Sequence, residues 1–191
     1  MNRKRIGILG GTFDPPHLGH LIIAEEVRIQ LDLEEIWFIP SYTPPHKHAA
    51  NTSASDRIAM LRHAIAGNPF FKINPIEVER LGKSYTFDTM QTLCAEHGHV
   101  DFHFIIGADM VEYLPHWNRI DALMKLVQFV GVKRTNYTLN TQYPIIEVEI
   151  PTIDISSTMV RERLAKNIPV KYLVPDSVYA LIKEKHLYDN Q

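Results

Sequence analysis

The sequence predicts an α/β fold on a mainly parallel sheet, and three observations carry that prediction. Short apolar runs alternate with segments of helical period along the chain. The first run ends in paired glycines and hands over at once to a helix. No internal repeat or low-complexity tract interrupts the alternation, so strands and helices read as successive βαβ units. At 191 residues the expectation is one domain, 1–191, with a small C-terminal helical portion from about 151 to 191.

Residues 6–9 read as a short buried strand that stops at Gly10-Gly11. Residues 18–31 place Leu21, Ile22, Ala24, Val27 and Leu31 at helical spacing. Residues 36–39, with Trp37 and Phe38, read as a second strand. Residues 40–55 are rich in Pro, Ser, Thr and His and read as a mobile loop. A helix is predicted over 56–66, an extended segment broken by Pro75 over 70–78, and a helix over 86–97. Residues 100–106 and 126–132 are apolar strands, and 145–150 alternates as a half-exposed strand does. Helices near 156–165 and 175–185 close the chain.

Composition excludes several classes. Apolar residues make up 45% and charged residues 22%, enough for a core and too few charges for general disorder. A net charge of −2 gives no global field for nucleic acid, so an anionic ligand must be held by local charge. Cys94 is the only cysteine, so no disulfide forms within the chain and a reducing compartment is expected. The apolar stretch after the basic N-terminus is too short for a signal peptide, and no later run spans a membrane. A soluble cytoplasmic protein is the expectation.

Ligands of parallel sheets bind beyond the carboxyl ends of the strands. That singles out residues 10–20, 41–48, 107–109 and 133–134. Two familiar phosphate motifs fail there. The dinucleotide pattern G-x-G-x-x-G is absent from Gly7-Ile8-Leu9-Gly10-Gly11-Thr12, and Gly82-Lys83-Ser84 has Glu77 where a P-loop needs glycine. What remains is coherent: glycines admit a ligand close to the backbone, and the following helix offers free N–H groups to phosphate. His17 and His20 lie three apart, on one face of the first turn, either as capping or core histidines of a Gly-rich turn or as imidazoles that donate to phosphate oxygens and carry positive charge when needed. They lack the Cys or Glu that would complete a metal site. Asp154, Ser156 and Ser157 suit a helix N-terminus, either as plain caps or, with Arg161 one turn on and Arg163 nearby, as a second phosphate clamp. Trp117 reads first as core, with an aromatic platform as the alternative.

Gly10-Gly11-Thr12-Phe13-Asp14-Pro15-Pro16-His17-Leu18-Gly19-His20 resembles the H-x-G-H signature of the nucleotidylyltransferase superfamily. More narrowly, the chain resembles the bacterial nicotinate-nucleotide adenylyltransferases. Further matches are Pro44-Pro45-His46-Lys47, Ser84 to Thr89, Gly107-Ala108-Asp109, Trp117 and Ile155 to Arg161, in the family's order. The resemblance implies a Rossmann-like nucleotidylyltransferase fold, a parallel sheet flanked by helices with a small C-terminal helical portion. It implies adenylyl transfer from ATP to nicotinate mononucleotide, giving deamido-NAD and pyrophosphate, with Mg2+ accompanying ATP. His17, His20 and Arg161 would be catalytic. Gly10, Gly11, Thr12, Phe13, Gly107, Ser156, Ser157 and Thr158 would join them in holding ATP.

Lys47, Ser84, Tyr85, Thr86, Asp109 and Trp117 would hold the mononucleotide, with Trp117 against the pyridine ring and Thr86 near the carboxylate. Each has a plainer role open to it: solvation for Lys47, capping for Ser84 and Thr86, a turn for Asp109. No dedicated acidic cage for Mg2+ is legible, although Asp14 is close. A homodimer is implied by the family, and no partner nucleic acid or membrane is expected. Rival readings are a sister enzyme such as phosphopantetheine adenylyltransferase, from which Ser84-Tyr85-Thr86 with Trp117 departs, and a non-catalytic nucleotide sensor.

Overall fold

A computed structural model describes residues 3–42, 50, 52–134, 138–151 and 153–189. In chain order the elements are β1 (Lys4–Gly11), α1 (Leu18–Gln30), β2 (Glu35–Pro40), α2 (Ala54–Ile65), β3 (Phe71–Ile73), α3 (Ile76–Arg80) and α4 (Thr86–Glu96). There follow β4 (Val100–Gly107), α5 (Ala108–Tyr113), a 3-10 turn (Leu114–His116), α6 (Ile120–Leu123), β5 (Gln128–Arg134), β6 (Ile145–Ile150), α7 (Ser157–Ala165) and α8 (Asp176–Glu184).

All six strands pair in parallel, in the order β3-β2-β1-β4-β5-β6. This is the doubly wound order with its switch between β1 and β4. Alternate strand residues enter opposite cores, as the pleat requires. Ile6, Ile8, Phe102, Phe104 and Ile106 join one layer with Phe87, Met90 and Leu93 of α4. Leu9, Ile105 and Val130 join the other with Ala24 and Val27 of α1. A third core, Val160, Leu164, Val178, Leu181, Ile182 and Tyr188, packs the C-terminal helices onto Met60 of α2. No helix among the described residues is long and apolar enough to cross a membrane.

The elements depart from the expectations in several places. The extended segment over 70–78 is a three-residue strand followed by α3. Pro75 takes the N-cap position of that helix, and the Asn74 side chain accepts from the Ile76 N–H at 3.1 Å. The strand expected from 126 starts at Gln128, because the turn leaving α6 uses the Leu126 and Val127 N–H groups. Residues 108–123 form short helices that carry too few turns for a period to register. Helix α2 also begins two residues early, since Ser53 caps it by accepting from the Asp56 N–H at 3.0 Å.

Candidate active site

The parallel strands end on one edge of the sheet, and the register Leu9↔Ile105 sets Gly11 level with Gly107 beside the switch point. The turn from Thr12 to His17 rises there into α1. Gly10 is exposed, and an added Cβ would meet only the Phe104 ring at 3.7 Å, so the strand end is open to a ligand. Phe13 lies at φ 52°, an uncommon conformation for a side chain of that size. Its ring is 1% exposed, edge-on to His20 at 5.0 Å and tilted against Phe38 at 5.8 Å. The ring is therefore core, and Phe13 offers a ligand its main chain only.

Side chains from two other elements, α2 and α7, hold this turn by its carbonyls. Arg57 on α2, 1% exposed, donates from Nη1 to the carbonyls of Thr12 and Ser41, each at 2.7 Å. Arg161 on α7 donates to the Asp14 carbonyl at 2.7 Å, and the Ser157 hydroxyl to the Pro15 carbonyl at 2.9 Å. A trans peptide then aims the Phe13 N–H away from Arg57, toward the opposite side of the turn. The Asp14 carboxylate is 3% exposed and accepts from Tyr188 Oη at 2.6 Å and Thr52 Oγ1 at 2.7 Å.

His17 caps α1 from an extended conformation. Its backbone N–H donates to His20 Nδ1 at 3.2 Å, so the His20 N–H sits on Nε2. The two rings stack with centroids 3.7 Å apart. Gly19 makes this possible, because a Cβ there would press on His17 Nδ1 at 3.0 Å. Burial lowers the His17 pKa from 6.5 to about 4. The ring is neutral at pH 7. Its Nδ1 is buried without a hydrogen-bond partner among the described residues.

Helix α7 brings Ser156, Ser157, Thr158 and Arg161 to the same turn. Ser156 is the N-cap and accepts from the Met159 N–H at 3.1 Å. Arg161 also reaches Thr158 Oγ1 at 3.3 Å. Arg163 does not join them: its guanidinium closes the other end of α7 on the Pro169 carbonyl at 2.8 Å.

Helix α4 starts at Thr86, and no side chain among the described residues caps it, which leaves its first N–H groups available to an anion. Ser84 is 5% exposed and its hydroxyl has no partner among the described residues. Tyr85 is exposed and is the N-cap residue. Trp117 follows the 3-10 turn, half-buried and edge-on to Phe104 and Phe129 at 5.9 Å each. Its indole N–H is a buried donor without a partner among the described residues. Asp109 is exposed in the first turn of α5, beside Gly107.

Lys47 and His46 lie outside the described residues. Lys133 is paired with Glu147 at 2.6 Å, two strands from β1, so it is not gathered into this edge. A cleft of about 560 Å³ at the opposite edge includes Arg3 and Arg5, but these are paired with Asp101 and Asp32.

Sequence reasoning missed Arg57, Thr52 and Tyr188 as members of the site. Arg57 and Thr52 belong to segments with no motif around them, and Tyr188 is 174 residues from its partner. Only Asp14 was in view, and as a neighbour of metal rather than as an anchor.

The cytidylyltransferase-like family matches residues 8–163. The chain is 55% identical over 97% of its length to a protein of Oceanobacillus iheyensis named probable nicotinate-nucleotide adenylyltransferase, 97% of which is covered. It is 56% identical over 96% of its length to one of the same name from Geobacillus kaustophilus, 86% of which is covered. Among solved structures, Plasmodium falciparum nicotinic acid mononucleotide adenylyltransferase complexed with NaAD superposes with a TM-score of 0.83 at 21% identity, covering 98% of both chains. The chain belongs to the cytidylyltransferase-like family and, within it, to the nicotinate-nucleotide adenylyltransferases.

Proposed function

We propose that this chain transfers the adenylyl group of ATP to nicotinate mononucleotide, giving deamido-NAD and pyrophosphate. The observation that carries the reading is the joining of two helix N-termini at one turn: α1 begins at Leu18 behind its N-cap His17, and α7 is tied to Asp14 and Pro15 through Arg161 and Ser157. Two such termini with imidazoles, hydroxyls and a guanidinium suit a triphosphate.

The mononucleotide phosphate supplies the nucleophile. Its oxygen bonds to the α-phosphorus while the bond from that phosphorus to the bridging oxygen breaks, and the electron pair leaves with pyrophosphate. Catalysis is then positioning and charge stabilisation. His20 donates from Nε2 to the transferred phosphate, and neutral His17 completes the pair. The Gly10 to Phe13 main chain and Thr12 hold the α-phosphate, and Gly107 borders the nucleoside. Ser156, Ser157, Thr158 and Arg161 take the β and γ phosphates.

Ser84, Thr86 and the opening N–H groups of α4 receive the nicotinate carboxylate. Trp117 meets the ring, with Tyr85 beside it, while Asp109 takes a ribose hydroxyl and Lys47 the mononucleotide phosphate. Mg2+ accompanies ATP, held by phosphates and water. Asp14 is committed to Tyr188 and Thr52 inside the turn, and the remaining donors here suit phosphate oxygens better than a metal ion.

The test is pyrophosphate release from ATP, with the nucleotide product weighed by mass spectrometry. Release that depends on nicotinate mononucleotide and yields deamido-NAD is the expected result. Release with phosphopantetheine instead, or none with either acceptor, would reject it.

A further inference from the structure

The C-terminal stretch that carries α8 lies beyond residues 8–163, where the family matches, yet its last buried side chain enters the phosphate turn. Tyr188 is 2% exposed, and its hydroxyl donates to Asp14 Oδ1 at 2.6 Å. Asp14 is the residue whose carbonyl receives Arg161, and it stands three positions before His17. Thr52 Oγ1 is the other hydroxyl on the same carboxylate oxygen. Burial and the Asp14 charge both push the Tyr188 hydroxyl pKa upward, so it remains a donor at every working pH. A single buried phenol thus meets the carboxylate whose backbone holds the guanidinium on one side and leads to the histidines on the other.

We propose that Tyr188 is a positioning residue for adenylyl transfer, holding the His17–His20 turn and Arg161 in register through the Asp14 carboxylate. The inference rests on the adenylyl-transfer reading and adds to it a residue that touches neither substrate. Loosening Asp14 displaces the carbonyl that orients Arg161 and the chain entering α1. Reacting groups tolerate such displacement poorly in the transition state, so the effect falls on turnover. The acceptor pocket on α4 belongs to another element and is untouched.

The experiment compares wild type, Tyr188→Phe and Val178→Ala, each assayed with ATP and nicotinate mononucleotide well below its Tm. Tyr188→Phe keeps the ring and leaves Thr52 on the carboxylate, so it folds. Val178 is fully buried in the same C-terminal core and has no part in the turn. The expected result is a kcat about tenfold lower for Tyr188→Phe, with KM for nicotinate mononucleotide within about twofold of wild type. Val178→Ala should lower Tm while keeping wild-type kcat. A wild-type kcat in Tyr188→Phe would overturn the proposal, as would an equal loss in Val178→Ala, which would make the effect one of stability. Lack of acceptor-dependent turnover in wild type would instead reject the adenylyl-transfer reading, and this inference with it.

Discussion

The imidazole rings of His17 and His20 stack 3.7 Å apart at 29°, joined by a hydrogen bond from the His17 backbone N–H to His20 Nδ1. Two imidazolium ions at that distance would repel each other, and the burial of His17 removes the conflict by keeping its ring neutral. On the proposed reading the pair acts as a preorganised donor set rather than a fixed double charge. His20→Ala should leave the fold intact and lower kcat about 10²–10³-fold, the usual loss for one preorganised donor. His17→Ala should be similarly severe. Steady-state kinetics on the folded variants checks this, and near wild-type turnover in both would return the histidines to a capping role.

The burial of His17 also makes stability pH-dependent. Its pKa falls from 6.5 to about 4 on folding, so between those values the unfolded chain binds the extra proton. Stability therefore rises with pH through that window and is lost as pH falls toward 4. Between pH 7 and pH 4.5 wild type should lose roughly 2–3 kcal/mol more than His17→Gln. Urea unfolding of both proteins at the two pH values measures the difference. Parallel losses would show that the ring is not desolvated as described.

Arg57 is a buried cation that joins the β1 turn to the end of β2 through the Thr12 and Ser41 carbonyls. A lysine has one compact ammonium on a different stem and cannot reproduce the planar guanidinium at that site. Arg57→Lys should cost roughly 2–3 kcal/mol, the scale of hydrogen bonds from a charged donor, and should lower kcat as the turn loosens. Denaturant midpoints with activity measured alongside give both numbers; an unchanged midpoint would contradict this account of the turn.

The strands and long helices were legible because their signals are local. Ile6, Ile8 and Leu9 form a compact apolar run, and Phe87, Met90 and Leu93 repeat at helical spacing. The H-x-G-H turn was legible for the same reason, and Gly19 now has a steric explanation in the His17 ring. What escaped depends on distance along the chain. Nothing near Tyr188 marks it as a partner of Asp14, and a single Arg57 in an ordinary helix has no pattern to announce its burial. The helices over 108–123 escaped because α6 has four residues and the 3-10 turn three, too short for a period. Arg163 misled because sequence spacing alone does not say which end of α7 its long side chain serves.

Choice of acceptor tests the account most directly. Nicotinate mononucleotide presents a carboxylate where nicotinamide mononucleotide presents a neutral amide, and on the proposed reading the N-terminus of α4 at Thr86, which no described side chain caps, offers N–H donors to that group. The amide would turn its own N–H2 toward those donors and leave a buried polar group unpaired, at a cost of roughly 1–3 kcal/mol before the lost charge interaction is added. The measurement is kcat/KM for both mononucleotides at fixed ATP. The account predicts a preference for the acid of at least about a hundredfold, retained in Thr86→Ala because the donors are main-chain. Equal efficiencies, or a preference for the amide, would contradict it.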